Sequence, residues 1–431
     1  MLKGLKHVAS DPALPDSTTV AIIGGGIVGV TAALTLAEQG IPVCLFEKGE
    51  IAAEQSGRNW GWVRKMGRKQ ADVGLAQLAD TIWPTLEARC GEPTGYRVNG
   101  SLYPVDTPAQ LEEQDRWRRE IGDPAGTGSV LLDARQTADL LPGCVRPFIG
   151  ALHTPSDGCA EPFLAGPAIA LGARKRGARV FTNCAVRGLE TSGGRVSAVV
   201  TEQGRVACDT VLLAGGAWST LFLRHLGVRL PQLRLRASVC HVEGVEGPDI
   251  CCSARDVSLR RRLDGTFTFA KRDLNTTHIS PDHFRFLADF LPTLKQNHQL
   301  IAMRAGLSEF LAEWRNGRPW GDDDPTVFER IRVLGARGEA DILDRARASL
   351  VKAFPAFEGM TVIQDWSGEI EGTPDGMPVL DRVDRYPGLF VATGFSGHGF
   401  GIGPAVGQVM AELMLGQPLS HDLGAFRFDR F

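Results

Sequence analysis

Apolar and β-branched residues in this chain come in short runs, and glycine punctuates them. Thr19-Val20-Ala21-Ile22-Ile23 shows no polar alternation, the pattern of a strand buried on both faces of a parallel sheet. It runs into Gly24-Gly25-Gly26-Ile27-Val28-Gly29. Apolar positions then recur at helical spacing over 27–39, and Gly40 closes that helix. Pro42-Val43-Cys44-Leu45-Phe46 predicts a second buried strand ending on Glu47. Strand, glycine turn, helix and strand within about 30 residues form the start of a βαβ unit.

Further strands are predicted over 178–184 and 186–190. Beyond the turn Ser192-Gly193-Gly194, the alternation of Val196, Ala198 and Val200 implies a hairpin meander. Asp209-Thr210-Val211-Leu212-Leu213 is a strand that runs into the small residues Ala214-Gly215-Gly216-Ala217 before Trp218. Residues 230–290 are richer in Arg, Thr and alternating positions, including a strand over 266–270, and read as a separate antiparallel domain. Charged helical patterns fill 296–354, and 366–378 reads as a turn-rich stretch. The strand Leu389-Phe390-Val391-Ala392-Thr393 then leads into a glycine loop over 394–401 and a helix of small residues over 405–415.

Composition narrows the functional classes. The 431 residues are enough for two or three domains. The 47 basic and 50 acidic residues balance to a net charge of −3, which gives no electrostatic case for nucleic acid. No apolar run reaches the ~18 residues of a membrane span, and residues 1–17 lack the apolar core of a secretory signal, so a cytoplasmic protein is expected. Nine cysteines occur without a CxxC pair or Cys/His metal spacing. They read as free thiols in a reducing compartment, and no metal site is expected.

The first glycine cluster carries chemistry. Gly24 permits a tight turn, Gly26 lets backbone approach a pyrophosphate, and Gly29 lets the helix pack on its strand. The free amides at the helix start, around Ile27 and Val28, face the phosphates. Glu47, with Lys48 beside it, stands at the tip of the second strand, where a carboxylate accepts hydrogen bonds from ribose hydroxyls. This predicts a dinucleotide and leaves NAD and FAD open. The glycine loop over 394–401 repeats the strand–loop–helix geometry.

Four segments in this order resemble the D-amino-acid oxidase, glycine oxidase and sarcosine oxidase family of FAD-dependent oxidoreductases: Gly24–Gly29 with Glu47, the 211–218 strand motif, the 366–378 turn, and Gly394-Phe395-Ser396-Gly397-His398-Gly399-Phe400-Gly401. The resemblance implies an α/β fold, with a Rossmann-like FAD-binding domain over 17–95, 150–228 and 360–431. A substrate domain over 96–149 and 229–359, built on a mixed antiparallel sheet, would be inserted into it. It also implies noncovalent FAD, since no Cys lies over 366–378. The implied reaction oxidises the C–N bond of an amino acid or secondary amine, such as a D-amino acid or an N-substituted glycine. Hydride goes to flavin N5, the imine is hydrolysed, and oxygen or another acceptor takes the electrons.

The family's stretch beneath the flavin corresponds to Ser56, Gly57, Arg58, Asn59 and Trp60, with Arg64 facing the ring and Trp62 walling the pocket. Val186, Ala214, Gly215, Trp218, Gly368, Gly397, His398, Gly399, Phe400 and Gly401 complete the expected cofactor contacts. His398 either supports its loop or acts in catalysis. Lys271 stands where relatives place a lysine that assists oxygen. Both usual carboxylate anchors are missing, because Ile370 and Gly401 occupy their positions. Either Arg64, Lys271, Arg272 or Arg304 replaces them, or the substrate is a cationic amine held by Glu369 or Glu371. No general base is assigned. An NAD(P)H-dependent flavin monooxygenase and an FAD-containing subunit of a larger amine or opine dehydrogenase complex are the alternatives.

Overall fold

The computed structural model describes residues 2–297, 301–335 and 337–431. Its first framework is a six-stranded sheet ordered Val379–Arg382, Leu389–Thr393, Thr210–Leu213, Val20–Ile23, Val43–Phe46, Arg179–Phe181. All neighbours are parallel except the edge strand Val379–Arg382. The helices Ile27–Glu38, Pro162–Lys175 and Gly399–Met414 cover one face. A small antiparallel sheet of Val186–Ser192, Arg195–Thr201 and Gly204–Ala207 covers the other, with Trp218 and Phe222 packed beside it. Covered on both sides, the strands need apolar residues on both faces, which explains their unbroken runs. Chain order reverses about Val20–Ile23, the switch point where such sheets open a crevice at their carboxyl ends.

The last helix begins at Gly399, six residues before the expected start. Its glycines look like loop residues, but packing needs them. A Cβ on Gly403 would stand 2.6 Å from Ile27 Cγ2, and one on Gly407 2.6 Å from Thr31 Cβ. Close packing against Ile27–Glu38 outweighs the poor helix propensity of glycine, about 1 kcal/mol per residue.

The second framework is a ten-stranded mixed sheet, as the expected substrate domain requires. Its order is Ile301–Arg304, Asn275–His278, Leu233–Glu243, Phe267–Lys271, Val257–Arg261, Cys251–Ser253, Ser101–Val105, Gly150–Thr154, Val130–Asp133. Thr361–Gly372 is the tenth strand and pairs with Leu233–Glu243. This corrects the reading of 366–378, whose first half is strand and not turn. Its glycines and charges mimic a turn, yet the backbone is paired throughout and Glu369 is neutralised across the ladder by Arg236 at 2.7 Å. Gly150–Thr154 and Thr361–Gly372 both lie in this sheet, so the sheet borders differ from the expected boundaries at 150 and 360.

The predicted antiparallel region ends in the helices Pro281–Arg285 and Leu287–Asn297. The charged stretch over 296–354 contains the strand Ile301–Arg304 and the helices Leu307–Asn316 and Ala340–Ala353. Residues 298–300 and 336 of that stretch lie outside the described residues. Among the described residues, no helix is long and apolar enough to cross a membrane.

One buried cluster ties the frameworks together. Glu161, at the start of Pro162–Lys175, accepts from Arg260 at 3.0 Å and Arg262 at 3.1 Å, both on the second sheet's side. All three side chains are buried. Burial alone would raise the Glu161 pKa, but the two guanidinium groups outweigh it and hold the carboxyl below its ordinary range. Glu161→Gln would leave two buried cations without their counter-charge, at a cost of about 3–5 kcal/mol. Chemical denaturation checks this, and an unchanged midpoint would count against it.

Candidate functional site

A cavity of about 550 Å³ opens at the carboxyl ends of the parallel strands and is roofed by the second sheet. At one end stands the glycine turn. Gly24 has φ +112°, and a Cβ there would lie 2.4 Å from the Ala214 carbonyl oxygen. Gly29 lies behind the wall, and its own Cβ would meet the Gly24 carbonyl oxygen at 2.0 Å, so its task is packing. Ser56 Oγ accepts from the Ile27 amide at 2.9 Å, holding the segment after the second strand against the helix start. Glu47 accepts from the Gly25 and Gly49 amides, each at 2.7 Å. Burial raises its pKa, with Lys48 opposing.

Lys48 lines the cavity and pairs with Glu54 at 2.8 Å, while its ammonium stands 4.6 Å from the centre of the Trp218 ring. Trp218 Nε1 donates to the same Glu54 carboxylate at 3.1 Å. Arg58 is buried and donates to the carbonyls of Ala53 and Ser367, both at 2.8 Å, which ties the turn after Glu47 to the Thr361–Gly372 strand. Asn59 Oδ1 accepts from the Gly61 amide at 2.6 Å. Of the expected cofactor contacts, those at 24, 26–28, 47, 48, 56, 58–60, 186, 214, 215, 218, 368 and 397–401 line this one cavity. Gly57 does not, and a Cβ there would stand 2.3 Å from the Ala52 carbonyl oxygen.

The opposite end is cationic. Tyr103 lies between two guanidinium groups, with Arg272 4.6 Å and Arg64 5.7 Å from its ring centre. Arg272 donates to the carbonyls of Ser253 and Ala254 at 3.2 Å, and Arg64 to that of Met66. Neither has a carboxylate partner among the described residues. Arg68 donates to the His398 carbonyl at 3.2 Å and faces Asp72 at 3.7 Å. Burial, then the neighbouring Arg64, lowers its pKa to about 10. Trp62 and Trp60 meet edge to face at 5.6 Å and wall this end, and Trp62 Nε1 has no hydrogen-bond partner among the described residues.

Two expected residues lie elsewhere. Lys271 pairs with Asp273 at 2.6 Å outside the cavity, because side chains alternate along its strand and the neighbouring Arg272 takes the inward direction. Arg304 lies outside the cavity, half-buried at the end of Ile301–Arg304, and pairs with Asp341 at 2.7 Å. Glu369 and Glu371 do line the cavity, but Arg236 occupies Glu369, and Glu371 is buried beneath the 394–398 loop. Glu54, Gln55, Arg68 and Tyr103 are cavity residues that sequence reasoning missed. Glu54 and Gln55 adjoin the recognised Ser56, whereas nothing local marks Tyr103 or Arg68. Among the described residues, no group of three or more His, Cys, Asp or Glu could hold a metal ion.

His398 caps the helix Gly399–Met414 and lines the cavity. Burial, then Arg68, Arg64 and Lys69, pushes its pKa well below the ordinary histidine value. The folded state therefore favours the neutral imidazole, and whatever stability that form contributes is lost only in acid. In 15N-histidine NMR, His398 should keep neutral-ring shifts as pH falls through the ordinary value of about 6.5. A normal titration there would contradict this environment.

Comparison with known proteins agrees with the geometry. The solved L-amino acid deaminase of Proteus myxofaciens, in complex with anthranilate, superposes with a TM-score of 0.95 at 30% identity, covering 99% of this chain and 96% of that one. Glycine oxidase of Pseudomonas putida is 25% identical over 93% of this chain and 95% of its own length. Mitochondrial sarcosine dehydrogenase of Mus musculus is 24% identical over 97% of this chain, which spans only 42% of that longer protein. The match to the FAD dependent oxidoreductase family runs over residues 19–413, and the chain belongs to that family.

Proposed function

We propose that the protein oxidises an α-amino acid at its C–N bond, with FAD lying along the cavity from Glu47 and the glycine turn towards Arg64. The residues present fit the cofactor. Backbone amides gather at Gly24–Ile27, a carboxylate stands where a ribose would reach it, and glycines at 215, 216, 397, 399 and 401 leave the wall there as bare backbone at those positions. Bound FAD supplies a two-electron acceptor, and the protein supplies orientation and charge.

The observation that carries the reading is the pair of guanidinium groups flanking Tyr103 at the far end of the cavity, neither of them neutralised. They can grip a substrate carboxylate, and an arginine fork does so bidentately. Trp60, Trp62, Val239 and Ile370 offer apolar surface for a side chain. Glu369, one of the two glutamates that could receive a cationic amine, is already paired with Arg236. The likeness to an L-amino acid deaminase favours L-amino acids, and the apolar wall favours apolar or aromatic side chains, leaving a 2-oxo acid and ammonia once the imine is hydrolysed. The His398 carbonyl accepts from Arg68 at 3.2 Å, which ties the 394–398 loop to the cationic end of the cavity.

Anaerobic mixing of the holoprotein with L- and D-amino acids, N-alkyl glycines, diamines and NADPH, followed by flavin absorbance, tests this. L-amino acids with apolar side chains should bleach the flavin. Bleaching by diamines or NADPH alone would overturn the reading. Arg272→Ala should weaken the apparent affinity for the amino acid by about 10–100-fold, the loss expected for about 1.5–3 kcal/mol of charged hydrogen bonding.

A further inference from the structure

The loop that carries Arg64 and Arg68 is built on a buried carboxylate that the substrate reading does not use. Arg64, Lys65 and Arg68 crowd three cations into this one loop, where like charges repel. Arg64 and Arg68 line the cavity, whereas Lys65 is buried away from it.

Asp157 explains this division. It lies in the turn between Gly150–Thr154 and Gly158–Cys159, and none of its surface is exposed. Its Oδ1 accepts from the Lys65 amide at 2.8 Å and stands 3.3 Å from Lys65 Nζ. Its Oδ2 accepts from the Ser101 hydroxyl at 2.5 Å and from the Met66 amide at 3.4 Å. Asp80, on the helix Gln70–Ile82, also pairs with the Lys65 ammonium. Two carboxylates thus turn Lys65 inward and leave Arg64 to the cavity.

The backbone carries this to Arg64. The two amides held by Asp157 belong to the residues directly after Arg64, whose guanidinium donates to the Met66 carbonyl on the same turn. Gly67, at φ +70°, leaves that guanidinium a narrow slot. A Cβ there would stand 3.2 Å from Arg64 Nη1 and 3.5 Å from Tyr103 Cε2. The far wall of the slot hangs on the same carboxylate. Ser101 opens the strand Ser101–Val105, and Tyr103 follows two residues later on the same face. The Asp157 carbonyl also accepts from the Gly100 amide at 2.8 Å. One buried residue therefore sets both the loop that bears Arg64 and the strand that bears Tyr103.

The chemistry requires a carboxylate. Each Asp157 oxygen accepts from a backbone amide, and a carboxylate can do so at both. An asparagine has one accepting oxygen, so its nitrogen would face an N–H donor. One end of the clamp must then open, and Lys65 loses a counter-charge.

We propose that Asp157 is a positioning residue for substrate binding, which holds the 64–68 loop so that the Arg64 guanidinium stands beside Tyr103 to meet the substrate carboxylate. This rests on the reading of Arg64 and Arg272 as the carboxylate grip.

Benzoate, a carboxylate with no C–N bond to oxidise, is the probe, and its dissociation constant is read from the flavin spectrum of the FAD-loaded full chain. Arg64→Ala, Arg272→Ala and Asp157→Asn should each weaken benzoate binding by about tenfold. Because Asp157 acts through Arg64, adding Asp157→Asn to Arg64→Ala should weaken binding by no more than about threefold further. Asp80→Asn takes a partner from Lys65 but leaves the amide clamp. It should lower the melting temperature yet bind benzoate within about twofold of wild type. If Asp157→Asn yields no folded holoprotein, Ser101→Ala carries the same cycle, with a loss of about threefold that vanishes in the Arg64→Ala background. An Asp157→Asn protein that binds as tightly as wild type, a loss that adds in full to that of Arg64→Ala, or an equal loss in Asp80→Asn overturns the proposal. Unchanged affinity in Arg64→Ala or Arg272→Ala is instead failure of the carboxylate grip, and the role of Asp157 falls with it.

Discussion

The ladder between Leu233–Glu243 and Thr361–Gly372 sets the geometry on which the cavity depends. Its register places Ala237 opposite Gly368, Arg236 opposite Glu369 and Arg234 opposite Glu371. A slip of one residue would turn every one of these side chains to the other face. Glu369 would lose its counter-ion, and Glu371 would leave the loop that clamps it. The same strand leads directly into the Thr373–Met377 turn, where Thr373 Oγ1 donates to the Met377 carbonyl at 2.7 Å. From there the chain returns to the parallel sheet through Val379–Arg382. One long strand pair thus fixes where the roof meets the floor.

How much of this was legible in the sequence follows from how local each cause is. The glycine fingerprint is set by sterics within a few residues: Gly24 by its φ and the nearby Ala214 carbonyl, Gly29 by Gly24 itself. Such constraints leave a readable trace, and so do the doubly covered strands. Thr361–Gly372 was illegible as a strand because its stability comes from a partner more than a hundred residues away in the chain, and its own glycines and glutamates argue for a turn. Lys271 and Arg272 show the finest limit. The sequence marks both as cations at a strand end, but only the pairing of Phe267–Lys271 with its neighbours decides which of the two faces inward. Tyr103 becomes a site residue because Arg64 and Arg272, from distant segments, close on it from two sides.

The cavity is electrostatically graded. At the glycine turn, backbone amides and a helix start offer partial positive charge, and Glu47 is held by the Gly25 and Gly49 amides. Towards the far end stand Arg64, Arg68 and Arg272, with Asp72 near Arg68 at 3.7 Å. Two groups that could cancel this field are themselves neutralised: Glu369 by Arg236 and Glu54 by Lys48.

Ile370 and Gly401 stand at the two positions where the resemblance implied cations. In the proposed function the anchor is instead Arg272, approaching from the roof beside Tyr103, and Ile370 leaves the space near it apolar. A guanidinium at 370 would supply positive charge close to the Glu371 carboxyl. Without one, Glu371 forms no ion pair among the described residues, and burial raises its pKa to about 7.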